Sequence, residues 1–144
     1  MKKFLILLCI LPLLSFNPSI SEISIFGTWK GEDKGDIGFV TFEKDGYAFF
    51  EADGEKMGGR EFMLEGEKAK MMYRLNTETN PIELDFEITF IETEDTRTLL
   101  GILNFITEDK MTFAIGFGGS ERPTEFNDEN SIIFEREHNG EDNK

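Results

Sequence analysis

Hydrophobic and polar residues alternate with a period of two along most of the chain, and residues 82–90 show the pattern most clearly. In this segment every even-numbered residue is apolar and every odd-numbered residue is acidic or Thr. Strict alternation predicts a β-strand with one face in a core and the other in water. We therefore expect an antiparallel strand here, with Glu83, Asp85 and Glu87 facing solvent.

Similar but shorter patterns predict eight to nine strands in all. Apolar residues favoured in strands, bounded by turn residues, mark the segments 26–31, 37–43, 47–51, 60–65, 69–75, 82–90, 99–106, 111–117 and 132–136. Residues 52–59 are predicted to be a loop, and 118–130 a long polar connection. Short loops permit antiparallel neighbours. Closure into an up-and-down barrel protects the edge strands, so an all-β antiparallel barrel is the first expectation and a two-sheet sandwich the alternative.

The N-terminal segment has the pattern of a secretory signal peptide. Lys2 and Lys3 precede an apolar run over residues 4–14, which is too short to span a bilayer as a helix. Small residues follow, and we predict cleavage after Ser21, with Ser15 as the alternative. The sequence thus predicts a signal peptide over 1–21, a barrel domain over 22–137 and a disordered tail over 138–144, exported to the periplasm or the medium, with no membrane insertion of the mature chain.

Composition narrows the function classes. The single Cys, Cys9, lies in the predicted signal peptide, so no disulfide or thiolate site is expected in the mature chain. Of the 15 Phe, all but Phe4 and Phe16 lie beyond the signal and can supply a core. The net charge of −14 disfavours nucleic acid as a partner and leaves a basic protein as an alternative partner.

Catalytic and metal-binding residues are sparse. His138 is the only His in the sequence and lies in the predicted tail, which argues against Ser-His catalysis and against His-based metal sites. The many carboxylates fall in turns or on the predicted wet faces of strands, where a glycosidase-like pair is not expected. We therefore predict a non-enzymatic protein without catalytic residues, metal ligands or a cofactor.

Two ends of the predicted domain resemble a known family. Gly27-Thr28-Trp29, which contains the only Trp, resembles the Gly-x-Trp signature at the first strand of the lipocalins, and Arg136 follows the last predicted strand. In lipocalins an Arg from the last strand packs over this Trp across the closed end of the barrel. The resemblance implies that Gly27, Trp29 and Arg136 close one end here, helped by a cation–π contact of about 0.5–2 kcal/mol.

A second motif extends the resemblance. Arg122-Pro123-Thr124-Glu125-Phe126 precedes the last apolar strand, as in small secreted bacterial proteins that look like lipocalins and have no established activity. The chain is shorter than typical lipocalins, lacks their disulfide cysteines and shows no helical pattern after the barrel.

The barrel interior is the candidate binding site. An eight-stranded barrel is just wide enough to be filled by side chains or to hold one small ligand. Tyr47, Tyr73 and Asn104 are the candidate inward polar groups. We expect a small hydrophobic ligand, and the alternative is a filled barrel that acts through its acidic surface. The residues expected to point inward and contact the ligand are Phe49, Met71, Tyr73, Leu84, Phe86, Ile88, Phe90, Leu103, Phe105 and Phe113, with Ile115 beside them.

Overall fold

The computed structural model describes residues 23–116 and 121–138, and these residues form ten β-strands. The strands are β1 (Gly27–Asp33), β2 (Asp36–Phe42), β3 (Ala48–Ala52), β4 (Glu55–Gly58), β5 (Phe62–Leu64), β6 (Glu67–Asn76), β7 (Ile82–Phe90), β8 (Thr96–Thr107), β9 (Lys110–Ile115) and β10 (Ser131–Arg136). The all-β antiparallel prediction is confirmed, and the count of eight to nine strands is wrong.

The strand that the alternation pattern misses is β4. Residues 52–59 were expected to be a loop, but Asp53 and Gly54 both adopt positive φ, at 53° and 78°. Two such residues make a tight hairpin that directs the chain back along β3. β4 contains only one large apolar residue, Met57, so its sequence carries no alternation by which it could be recognised.

All ten strands belong to one sheet that nearly closes on itself. The order is β4-β3-β2-β1-β10-β9-β8-β7-β6-β5, and every neighbouring pair is antiparallel. Gly59 joins the two ends of this order: its N–H donates to Ala48 O and its carbonyl accepts from Met71 N, both at 2.8 Å. An isolated bridge between Tyr47 and Met72 continues the seam. The result is a barrel-shaped sheet compatible with a lipocalin-like architecture.

One hydrophobic core fills much of the barrel interior, including the half that contains Trp29. The register places the apolar residues of β7 opposite those of β6, so that Leu84, Phe86 and Ile88 share the interior with Met71. Trp29, Met71, Leu84, Phe86 and Leu103 have no measurable exposure. Side chains buried this completely leave little space between them, and this half of the barrel is filled.

The alternation predicted that the outer face of β7 is solvated, but in the structure Arg side chains cover it. Arg122 Nη1 and Nη2 donate to the two carboxylate oxygens of Asp85 at 2.5 and 3.0 Å, and Nη1 also donates to Gly101 O at 2.8 Å. Arg122 Nε lies 3.5 Å from Glu83 Oε1, and Arg74 pairs with Glu87. Each acidic side chain of β7 therefore has an Arg partner. Arg122 reaches Glu83 and Asp85 because the segment from Glu121 onward folds back over the outside of the sheet, whereas Arg74 is on the neighbouring β6.

Hydrogen bonding to Asp85 raises the pKa of Arg122 above its ordinary value, against the opposing effect of partial burial. The guanidinium therefore stays charged throughout the usual pH range. Beneath this segment, Ile102 and Ala114 are buried although they point away from the barrel interior. The Arg122–Asp85 pair thus holds a small second apolar layer against the outer wall.

Three sequence predictions concern residues outside the described ranges. The signal peptide over 1–21, the proposed end of a strand at Phe117, and the tail beyond His138 all lie there. His138 itself is exposed, with Nε2 3.6 Å from Asp109 Oδ2. Within the described residues, no helix has the length and apolar character needed to cross a membrane.

Candidate functional site

One end of the barrel is closed around Trp29. The indole is fully buried, and its Nε1 donates to Ile25 O at 2.8 Å. The Arg136 guanidinium lies over the ring, with Cζ 4.2 Å from the ring centroid. β1 and β10 are neighbours in register at this point, so Trp29 and Arg136 are Cα partners.

Arg136 also ties the chain that crosses this end. Nη1 donates to Phe26 O and Nη2 to Ser24 O, each at 2.6 Å, while Nε donates to Asp109 Oδ1 at 3.1 Å. Gly27 has φ of 109°, a conformation that side-chain-bearing residues rarely adopt, and it turns the chain from this crossing segment into β1. Gly27, Trp29 and Arg136, the residues on which the family resemblance rests, thus lie together at the closed end, where no space for a ligand remains.

The opposite half of the barrel contains a cavity of about 360 Å³. It opens between the β1–β2 hairpin, the β3–β4 hairpin and the start of β10. Its lining is nearly all apolar and consists of Gly31, Ile37, Gly38, Phe39, Phe50, Ala52, Met57, Leu99, Phe113, Ile115, Ile132 and Phe134, with the polar residues Asp33, Asp36, Glu51 and Asn130.

A cluster of aromatic rings forms the inner end of this cavity. Phe86 is fully buried at the middle of the barrel, and its ring contacts Phe50 and Phe113 at centroid distances of 5.1 and 5.9 Å. Phe134 continues the cluster at 6.4 Å from Phe113. These rings separate the open half of the barrel from the filled half.

The charged groups of the cavity lie on exposed residues at its mouth. Asp33 and Asp36 face each other as Cα partners across the β1–β2 hairpin, and Glu51 lies near the end of β3. All three are exposed. The cavity therefore offers apolar and aromatic surface inside and negative charge at its entrance.

Comparison of the chain with protein-family models, with curated proteins and with solved structures found no match. The geometry of the barrel is accordingly the basis for any functional conclusion. Among the described residues there is also no group of three His, Cys, Asp or Glu side chains arranged to hold a metal ion.

Most of the residues predicted to contact a ligand belong to the hydrophobic core and not to the cavity lining. Phe113 lines the cavity, as does Ile115. The others that point inward without reaching the cavity are Met71, Tyr73, Leu84, Phe86, Ile88, Phe90, Leu103 and Phe105. The alternation correctly predicts that these side chains point inward. It does not predict where along the barrel axis the inward side chains leave a cavity.

Phe49 does not point inward, contrary to the prediction. Its ring lies on the outer wall, 3.4 Å below Lys56 Nζ, and Phe50 takes the interior position opposite Val40. The cause is the turn between β2 and β3. Glu43 N–H bonds to Tyr47 O and Gly46 has φ of 94°, so the loop holds three residues where a two-residue turn would have paired Val40 with Phe49. One extra residue moves every following side chain to the other face.

The inward polar groups also differ from expectation. Asn104 is exposed and pairs with Thr112 on the outer face. Tyr47 packs against Arg60, whose Cζ lies 4.5 Å from its ring, at the barrel seam. Tyr73 does point inward, but its hydroxyl donates to Glu43 O at 3.0 Å and its ring meets Phe42 edge-on. None of the three lines the cavity.

Burial raises the pKa of Tyr73 above its ordinary value of 10.0. The folded protein favours the neutral phenol of Tyr73. The resulting contribution to the free energy of unfolding is complete below the pKa of Tyr73 in the unfolded chain, and it is lost as the pH rises through the pKa of Tyr73 in the folded protein. We expect Tyr73→Phe to cost about 0.5–1.5 kcal/mol at neutral pH through the lost hydrogen bond. Above about pH 10 the variant loses less stability than the parent protein.

Urea denaturation at about pH 8 and about pH 11 measures this difference. Tyr47→Phe is the matched control, because the Tyr47 hydroxyl has no hydrogen bond within the described part of the chain. If the free energy of unfolding of Tyr73→Phe fell as steeply between the two pH values as that of the parent protein, ionisation of Tyr73 would not be the cause of the fall.

Proposed function

We propose that this protein is an exported, lipocalin-like binding protein that holds one small hydrophobic molecule in the open half of its barrel. The observation that carries the proposal is the apolar cavity at the end opposite Trp29 and Arg136. Ligand sites are characteristically concave and mostly apolar, with a few polar groups that orient the ligand. The cavity between the β1–β2 and β3–β4 hairpins has this composition.

The size of the cavity limits the ligand. A volume of about 360 Å³ lies at the lower end of the range of ligand pockets, about 300–1,000 Å³. The ligand is therefore expected to be small, as a bicyclic aromatic compound or a short alkyl chain is.

The lipocalin-like part of the proposal rests on the closed end. Trp29 on the first strand and Arg136 on the last are stacked, and the chain before Gly27 crosses the barrel end beside them. A barrel closed at one end and open at the other admits a ligand from one direction. Export, which depends on the predicted signal peptide, places this binding function outside the cytoplasm.

Two neighbouring residues of β10 provide a matched test. Ile132 lines the cavity, whereas Ile133 is 50% exposed on the outer wall. We expect the neutral compound 1-naphthalenemethanol to bind the parent protein and Ile133→Trp equally well. In Ile132→Trp the added indole occupies the cavity, and we expect affinity to fall at least about ten-fold, about 1.4 kcal/mol.

Isothermal titration calorimetry gives both affinities, and urea denaturation checks that each variant is folded. Equal binding by the two variants would place the compound elsewhere on the protein. An absence of binding to the parent protein would contradict a site for apolar compounds of this size.

A further inference from the structure

We propose that the cavity selects ligands with a cationic end, such as a primary ammonium on an aromatic or alkyl body, and discriminates against carboxylates. This inference rests on the proposed binding function and specifies the chemical class of its ligand. It follows from how the charged, hydrogen-bonding and aromatic groups of the cavity are distributed.

Three carboxylates lie at the mouth, and the described residues show no ion pair between them and the nearby lysines, Lys34 in the β1–β2 turn and Lys56 opposite Glu51 on β4. Asp33, Asp36 and Glu51 are the charged residues of the lining, which includes no Lys, Arg or His. Within residues 23–116 and 121–138, none of these three carboxylates forms a salt bridge, although acids elsewhere on the barrel form nine with Lys or Arg. Carboxylates beside a low-dielectric wall attract cations and repel anions.

The one neutral polar side chain of the lining, Asn130, already forms hydrogen bonds within its own loop. Asn130 Nδ2 donates to Glu125 O at 3.0 Å, and its Oδ1 accepts from Asn127 N at 2.9 Å and Ser131 Oγ at 2.6 Å. A ligand carboxylate would therefore meet three negative charges and no basic partner among the lining residues. At the mouth such a group would be repelled, and deeper among the rings it would lose its hydration without replacement.

The aromatic rings below the mouth favour the same class of ligand. Phe50, Phe113 and Phe134 surround the inner cavity, and the faces of such rings carry partial negative charge. A ligand with an apolar body among these rings places its polar end at the level of the carboxylates. Both the ring faces and the carboxylates then attract an ammonium group.

Three compounds with the same naphthalene body test the proposal. We expect 1-naphthylmethylammonium to bind about ten-fold more tightly than 1-naphthalenemethanol, and 1-naphthoate to bind most weakly. The triple variant Asp33→Asn, Asp36→Asn, Glu51→Gln is expected to bring the ammonium compound close to the affinity of the alcohol while leaving the alcohol unchanged.

A second triple variant controls for net charge. Glu32→Gln, Asp53→Asn, Glu129→Gln removes the same number of charges from exposed residues that do not line the cavity. It is expected to retain at least about half of the preference for the ammonium compound. An equal loss in both triple variants would overturn the role of the mouth.

The outcomes separate this inference from the function on which it rests. Binding of the alcohol with no preference for the ammonium compound, or with tighter binding of the carboxylate, overturns the inference and leaves an apolar site. Failure of all three compounds to bind the parent protein contradicts the proposed function itself.

Discussion

Replacement of Trp29 by Ala is expected to lower the free energy of unfolding by about 3–5 kcal/mol. The indole is fully buried, meets Phe105 at a centroid distance of 6.2 Å, and supports the stacked Arg136 guanidinium. Its removal opens a void at the closed end and leaves Ile25 O without its donor. Urea denaturation followed by far-ultraviolet circular dichroism measures the loss without depending on Trp fluorescence.

Phe26→Ala is the matched control for Trp29→Ala. Phe26 lies three residues earlier in the same segment, but its side chain is exposed, and surface changes of this kind cost within about 0.5 kcal/mol. A Trp29→Ala variant as stable as Phe26→Ala would contradict a structural role of the closed end.

Loss of the pair between Arg122 and Asp85 is expected to have the second largest effect on stability. The two side chains are only 24% and 23% exposed, and Arg122 also bonds to Gly101 O. Asp85→Ala leaves the guanidinium partly buried without its bidentate partner. We expect a cost of about 1.5–3 kcal/mol, the range for hydrogen bonds to charged groups, because the pair is neither fully buried nor fully exposed.

A double-mutant cycle with Arg122→Ala isolates the pairwise contribution. We expect a coupling free energy of at least about 1 kcal/mol, within the range for residues in direct contact. The exposed pair between Lys68 and Glu61 is the control, with an expected coupling of about 0–1 kcal/mol. Coupling at Asp85 no larger than at Glu61 would mean that this ion pair does not hold the segment from Glu121 onward against the sheet.

The fold class could be predicted because it depends on local pattern. In β7 the buried residues are those that the alternation assigns to the interior. The meeting of Trp29 with Arg136 was expected from the family resemblance and requires that the first and last strands be neighbours. The first and last strands become neighbours when a meander closes into a barrel, so this feature can be predicted without knowledge of individual side-chain contacts.

Details that depend on single residues could not be predicted in the same way. One additional residue in the turn at Gly46 exchanges Phe49 for Phe50 in the interior, and no local hydrophobic signal distinguishes the two adjacent Phe. The solvent face expected for Asp85 is covered by Arg122, which lies 37 residues later in the sequence. Alternation describes one strand at a time and contains no information on such distant partners.

The cavity could not be predicted from the sequence pattern either, because it depends on how neighbouring strands are aligned. Its space lies where Gly31 on β1 pairs with Gly38 on β2, and Gly38 with Ala52 on β3. Gly31 makes room for the Phe134 ring, which a Cβ there would meet at 2.6 Å, whereas larger residues at Gly38 and Ala52 would fill part of the cavity. Their alignment depends on the registers of two hairpins, although Gly31 could have been noticed as an inward position two residues after Trp29.

The location of a bound apolar compound tests the central claim most directly. Amide chemical shifts of the ¹⁵N-labelled protein, followed during titration with 1-naphthalenemethanol, report which residues it contacts. We predict that the largest changes fall on Gly31, Gly38 and Ile132, with little change at Ser24 and Gly27 of the closed end. Changes confined to the outer wall around Phe49 and Lys56, or no changes at all, would contradict a ligand site inside the barrel.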